Sequence, residues 1–85
     1  MITKEKRKDL LRTMTQEKAT IIIGKSGATD SLKQEIRNQL KKKKSVKISL
    51  SDDIEDKNAF SLELCSEIGA EFIDLRGKKL IIYKE

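Results

Sequence analysis

Two glycines that flank a lysine and a serine form the stretch of this chain best suited to chemistry. Gly24-Lys25-Ser26-Gly27 follows three consecutive isoleucines and precedes three possible helix-capping residues, Thr29 to Ser31. Glycine leaves no Cβ between the backbone and a ligand, and it takes backbone angles that other residues resist. A helix start offers unpaired N–H groups and the positive end of the helix dipole, which suit a phosphate. The pattern therefore predicts a phosphate-binding loop between a strand and a helix.

The elements on either side of this loop are indicated by their apolar residues. Thr20 to Ile23 is predicted to be a short strand. Its apolar residues are consecutive, which favours burial of both faces, with the first helix as the second cover. Leucine and isoleucine recur at spacing four in the next segment and predict a helix from about Asp30 to Lys43. The loop then lies at the N-terminus of this second helix.

One flank of the second helix is basic throughout. A helical wheel places four cations together beside the apolar stripe, with no acid of that helix among them: Lys33, Arg37, Lys41 and Lys44. A solvated face with long stems packed over apolar edges explains such a flank as well as a binding site does. Because the glycine loop lies at the start of the same helix, we favour the interpretation as a binding site. The lysines that end the helix also suit the negative end of its dipole, so they are not all expected to be ligands.

The rest of the chain completes an α/β pattern. A basic first helix is predicted from Thr3 to about Thr15, and an alternating strand around Val46 to Leu50. Ser51 or Asp52 is expected to cap an acidic third helix that ends at Gly69. Strands at Phe72–Leu75 and Leu80–Tyr83 are joined by a hairpin, Arg76-Gly77-Lys78-Lys79. The order αβαβαββ predicts a two-layer α/β sandwich with a mixed four-stranded sheet, formed by a single domain over residues 1–85.

The charge distribution favours a polyanionic partner. The chain of 85 residues has a formal net charge of +5. Residues 1–47 carry 14 lysines and arginines against 5 acids, whereas residues 48–85 carry 5 against 9. The basic half contains the glycine loop, which suggests nucleic acid. A lysine-rich surface is common in small domains, so the charge alone favours nucleic acid only slightly.

Several functional classes conflict with the residues present. The chain has no histidine and one cysteine, Cys65, which argue against a zinc site and exclude a histidine-based triad; we expect no metal and no cofactor. Ala19 stands where a nucleotide-binding P-loop needs its first glycine, and a Rossmann fingerprint lacks its third glycine. Clustered carboxylates around Asp52 to Asp56 are explained by capping and solvation. We expect no small-molecule substrate, no membrane span and a cytoplasmic, non-enzymatic protein.

The sequence resembles the CRM domain family, named for chloroplast RNA splicing and ribosome maturation, and above all its stand-alone YhbY-like members. The resemblance covers nearly the whole chain. It rests on Ile23 to Thr29 as the glycine loop, Val46-Lys47-Ile48 as the second strand, and the blocks Gly69 to Ile73 and Gly77 to Lys84 as the closing hairpin. It departs from the family where a proline often precedes the first strand, since this chain has Ala19 and Thr20 there.

The resemblance implies an RNA-binding domain related in fold to the C-terminal domain of bacterial translation initiation factor three. It also implies association with ribosomal RNA or precursors of the large ribosomal subunit. The residues that we assign to RNA on these grounds are Gly24, Lys25, Ser26, Gly27, Lys33, Arg37, Lys41, Arg76 and Lys78, with Lys4, Arg7 and Lys8 as weaker assignments. The alternative is a small protein-interaction module whose acidic third helix meets a basic partner.

Overall fold

Three helices and four strands alternate in the predicted order. The computed structural model describes residues 3–84. Its elements are α1 Lys4–Gln16, β1 Ile21–Ile23, α2 Asp30–Lys43, β2 Ser45–Leu50, α3 Lys57–Ile68, β3 Glu71–Arg76 and β4 Lys79–Tyr83. The fold class is confirmed, and the bounds of α2 are those that its apolar spacing and caps predict.

The sheet is mixed, and its strands lie in the order β1-β2-β4-β3. β1 pairs parallel to β2, with Ile23 opposite Leu50, and β4 pairs antiparallel to both β2 and β3. The β3–β4 hairpin turns at Gly77, whose φ is +57°. β1 and β2 both finish at the end of the sheet where this hairpin turns. Three connections therefore meet there: the glycine loop, the segment after β2 and the hairpin.

The main core lies between the sheet and one layer made by α2 and α3. Ile36 of α2, Leu64 of α3 and Ile48 of β2 are buried in this core, as is Cys65. Burial raises the pKa of the Cys65 thiol to about 11, as expected for an unreactive core residue. This layer and the sheet are the two layers that the sequence predicts.

Helix α1 lies against the opposite face of the sheet. Its Met14 joins Ile73, Ile81 and Tyr83 in a second, smaller cluster. The Arg7 guanidinium donates to the carbonyl of Ile73 at 2.7 and 3.2 Å, which ties the helix to β3. Thr3 caps the helix, since its hydroxyl accepts a hydrogen bond from the Lys6 amide.

The expectation that both faces of β1 are buried is wrong. Ile21 and Ile23 face the core, but the side chain of Ile22 is 73% exposed. The reason is the placement of α1, which packs on β2 and β3 and leaves the outer face of β1 uncovered. Consecutive isoleucines therefore indicate a strand here, but not a second cover.

The expected start of the third helix is also wrong. The helix begins at Lys57, and Asp56 caps it by accepting from the Ala59 amide at 3.0 Å. The Ser51 hydroxyl, chosen as a possible helix cap, instead accepts from the Asp53 amide in a local turn. The acids at 52–56 thus belong to the segment after β2, and α3 itself contains only Glu63 and Glu67 against Lys57. The third helix of the alternative interpretation is therefore only weakly acidic, and most of the expected acids lie before it.

Candidate nucleic-acid interface

The glycine loop forms a turn at the end of β1. The Gly27 amide donates to the Gly24 carbonyl at 3.0 Å, which leaves Lys25 and Ser26 exposed at the tip. Gly27 has a φ of +81°, a conformation that side-chain-bearing residues rarely adopt. Gly24 has no positive φ, and a Cβ built on it would meet nothing within 4 Å. Only Gly27 is required by the backbone, whereas Gly24 leaves space open above the turn.

Two residues, Ala28 and Thr29, separate the turn from helix α2. Thr29 caps it, since its Oγ1 accepts from the Leu32 amide at 3.2 Å, and Asp30 occupies the first turn. The remaining N–H groups of the first turn have no partner within the helix, by helix geometry. The loop and helix start therefore combine a cation, a hydroxyl and a positive dipole end in one place.

The basic flank of α2 is partly neutralised by α3. The Lys33 ammonium lies 2.6 Å from a carboxylate oxygen of Glu67. This hydrogen bond to Glu67 raises the pKa of Lys33 above its ordinary value. The Arg37 guanidinium donates to the backbone carbonyl of Glu67 at 3.4 Å. The helical wheel of α2 does not reveal this acid, because Glu67 belongs to α3.

A groove separates the glycine loop from α3. It has a volume of about 270 Å³, with Ala28, Phe60 and Leu64 among its apolar lining residues. Lys33 from α2 faces Glu67 across it, and Glu63 lines it one turn earlier. The cation nearest the groove, Lys33, is therefore paired with an acid, whereas Lys25 in the loop is exposed.

Lys41 lies at the far end of α2 from the loop. It is exposed and lines a second cavity together with Arg37, Leu40, Lys44 and Lys84. Lys44 belongs to the flank that the sequence indicates. Lys84 is a residue that sequence reasoning missed, because its approach depends on β4 ending beside the C-terminus of α2.

The two hairpin cations are each paired with an acid. The Arg76 guanidinium lies 2.7 Å from Asp74, and the Lys78 ammonium lies 3.2 Å from Asp52. Both cations are exposed, and Asp52 is too, while Asp74 is half-buried, so the pairs hold these cations only weakly. The hairpin lies at the same end of the sheet as the glycine loop, with the acidic 52–56 segment between them.

The first-helix cations lie apart from this surface. Lys4 and Lys8 are exposed on α1, on the opposite face of the sheet from α2, and Arg7 is bonded to β3. The structure thus brings together the loop and the start of α2, and it separates α1 from them.

Two further features bear on the type of site. Among residues 3–84, no three side chains of the metal-ligating types are grouped as an ion would require. None of the helices in the described part of the chain has the length and apolar composition to cross a bilayer.

Comparisons with known proteins give one family and one fold. The family model described as "CRS1 / YhbY (CRM) domain" matches residues 2–84. None of the curated proteins matches. A solution structure of the hypothetical protein SAV1595 from Staphylococcus aureus, described as a candidate RNA-binding protein, superposes with a TM-score of 0.85. It is 21% identical, and the alignment covers 100% of this chain and 90% of that one, which shows a shared fold.

Proposed function

Because the chain belongs to the CRS1/YhbY (CRM) domain family, we propose that it is a non-enzymatic RNA-binding protein. The observation that carries the proposal is the exposed Lys25-Ser26 turn directly before the N-terminus of α2. KH domains use a loop with this glycine spacing to clamp the nucleic-acid backbone. The candidate RNA-binding description of the structural neighbour is consistent with this function.

In the proposed complex the loop holds a backbone phosphate. Lys25 contacts the phosphate directly, Ser26 donates a hydrogen bond, and Gly24 and Gly27 let the backbone approach. Lys33, Arg37 and Lys41 continue the positive track along α2, and Arg76 and Lys78 reach the RNA from the hairpin at the same end of the sheet. The two hairpin cations must first leave their acidic partners, which costs little.

The proposed recognition relies on charge and shape rather than on stacking. The chain has three aromatic residues. Phe60 and Phe72 pack against the main core, and Tyr83 is 3% exposed. None of these aromatic side chains is fully exposed as a platform for splayed bases, although the half-buried Phe60 lines the groove beside the loop. We accordingly propose a structured RNA as the partner, and specifically ribosomal RNA or a precursor of the large ribosomal subunit in the cytoplasm, as the family resemblance implies.

The test is a loop variant that changes charge without changing the fold. Replacing Lys25 and Ser26 by Asp places repulsion where the phosphate binds, beside a helix start that tolerates acid. RNA affinity is expected to fall at least about tenfold, roughly 1.4 kcal/mol. The free energy of unfolding is expected to change within about 0.5 kcal/mol, since both side chains are exposed. Gel shift and thermal melting on the same preparations measure the two quantities.

The matched control carries the same change in charge elsewhere. Lys18→Asp with Gln16→Asp alters two exposed residues near the end of α1, away from the loop, and should retain most of the RNA affinity. Ile36→Asp, in the buried face of α2, serves as the unfolded reference. A loop variant that melts and binds RNA like the wild type would show that the site is misplaced. A wild-type protein without RNA affinity at low salt would favour a protein-interaction module instead.

A further inference from the structure

A basic cavity lies at the opposite end of α2 from the glycine loop. It has a volume of about 320 Å³ and is lined by Arg37, Leu40, Lys41, Lys44 and Lys84. Four of these five residues are cationic and none is acidic. The cavity thus differs from the groove beside the loop, where Glu63 and Glu67 line the wall.

The backbone holds two of these lysines in place. The Lys44 amide donates to the Leu40 carbonyl, and the Lys84 amide donates to the Lys44 carbonyl, each at 2.8 Å. Lys44 is the one non-glycine residue with a positive φ, +66°, among residues 3–84. Glycine is the usual residue at this position after a helix, and a side chain there is strained. A lysine at a position suited to glycine adds a cation to the cavity at a cost in stability.

The cations of the cavity are available to a ligand. Lys41, Lys44 and Lys84 form no ion pair within the described residues, and Arg37 donates a long hydrogen bond of 3.4 Å to the backbone carbonyl of Glu67. The negative end of the α2 dipole by itself favours lysines in the last turn of the helix. However, Lys42 and Lys43 meet that need without lining the cavity. Lys84 follows β4, and its ammonium lies near Gly69 at the C-terminus of α3, so the cavity lies between the ends of two helices.

We propose that this cavity binds a second backbone phosphate of the RNA strand that the glycine loop holds, an inference that rests on the proposed function. Helix α2 has 14 residues and so separates the two sites by about 20 Å at 1.5 Å per residue. The rise of about 3.4 Å per nucleotide holds for a double helix, whereas successive phosphates of an extended single strand lie about 6 Å apart, so the span corresponds to about four phosphates. The protein then reads a length of backbone, with one anchor at each end of α2.

The test compares RNA length with a variant that removes the second anchor. Lys44→Gly with Lys84→Met deletes two cations, and glycine relieves the left-handed strain at residue 44. The probes are single strands of about two and about ten nucleotides, chosen below and above the span of about four phosphates. A longer strand offers more positions at which the protein can bind, and the expected gain is counted after this statistical factor. The wild type is then expected to bind the longer strand at least about tenfold more tightly than the shorter one. The variant should lose most of that gain while binding the short strand nearly as well and melting no lower.

Lys42→Ala with Lys43→Ala is the matched control, since it removes the same charge from the same helix end outside the cavity. The control should keep the length-dependent gain. Equal losses in the variant and the control, with wild-type RNA binding intact, would overturn the cavity as a site while leaving the proposed function standing. A wild type that binds neither strand would overturn the proposed function itself.

A free phosphate ion is the other source of the same chemistry. Inorganic phosphate is therefore added at matched ionic strength against chloride. We expect the two salts to weaken binding of the long strand equally, because an isolated phosphate lacks the second anchor. Phosphate binding that is abolished in the Lys44→Gly/Lys84→Met variant, in a wild type that shows no length-dependent gain with RNA, would identify an ion site and overturn the RNA assignment.

Discussion

At the scale of single residues, the positions of the cations are predictable but their partners are not. Spacing on α2 places Lys33 and Arg37 on one flank, and in the structure both reach Glu67. The sequence does not show that Glu67 of α3 lies 2.6 Å from Lys33, because that contact depends on how two helices pack. Similarly, the pattern singles out Gly24 and Gly27 alike, whereas only Gly27 has a positive φ.

Glu67 is expected to restrain RNA binding by holding Lys33. Glu67→Gln removes the ion pair and one negative charge near the track, so RNA affinity should rise about two- to fivefold, within the roughly 1 kcal/mol that such pairs contribute. Because the pair is partly exposed, the melting temperature should change little. Fluorescence anisotropy with a labelled single-stranded RNA measures the affinity.

Glu63→Gln is the control for this effect, since Glu63 lines the same groove but is not paired with Lys33. Removing its charge should raise affinity less. An equal rise in both variants would assign the effect to net charge alone, and a fall in Glu67→Gln would show that the pair orients Lys33 for RNA.

At the scale of elements, local signals predict most of the fold. Thr29 and the apolar residues at spacing four define α2, and Gly77 defines the hairpin turn. The errors concern tertiary packing. The uncovered face at Ile22 depends on where α1 docks, and the start of α3 depends on which of several acids and serines acts as the cap. Several equivalent caps in a row leave a helix start undetermined by sequence.

The alternating pattern of β2 predicts that Lys47 is exposed, and the structure shows that it is not. It lies on the polar side of β2, yet it is only 9% exposed, because the end of α1 covers it. Its ammonium donates to the carbonyls of Thr15 and Glu17 at 3.3 and 3.0 Å. Such carbonyls have no partner within a helix at its C-terminus, so Lys47 supplies one from the sheet.

Lys47→Met is therefore expected to loosen α1. The substitution keeps the apolar stem and removes both hydrogen bonds, which should cost about 1–3 kcal/mol in the free energy of unfolding. Amide hydrogen exchange should rise in α1 more than in α2. Lys79→Met is the control, because Lys79 is exposed and bonds only the Ser49 hydroxyl on the same face. Equal melting temperatures for Lys47→Met and the wild type would show that the two bonds do not hold α1.

At the scale of the whole molecule, the positive charge follows α2 from the glycine loop to the opposite end of the sheet. The glycine loop lies at one end of the sheet beside the acidic 52–56 segment, and the unpaired lysines lie at the other end. The acidic half of the chain is not a separate face, because Asp52 pairs with Lys78 and Glu67 pairs with Lys33. The fold likeness to the C-terminal domain of initiation factor three stays a prediction.

This arrangement predicts binding that depends steeply on salt. For single-stranded RNA the slope of log affinity against log salt is about −0.7 per phosphate neutralised. Engagement of about four phosphates by the loop and α2 gives a slope near −3. The loop variant with Asp at positions 25 and 26 should show a shallower slope, because it loses at least one phosphate contact. Affinity measured over a salt series, for both proteins, gives the two slopes.

The same physics predicts which RNA competes best. Without exposed aromatics, bases are not read by stacking, so a structured ribosomal RNA fragment should compete better than an unstructured strand of equal length. Two unstructured oligomers that differ in one base should bind alike, within about twofold, since phosphate contacts carry no sequence information. Strong discrimination between them would contradict recognition through the backbone. It would point instead to a base held in the groove between the glycine loop and α3, where Glu63 and Glu67 could accept hydrogen bonds from a base edge.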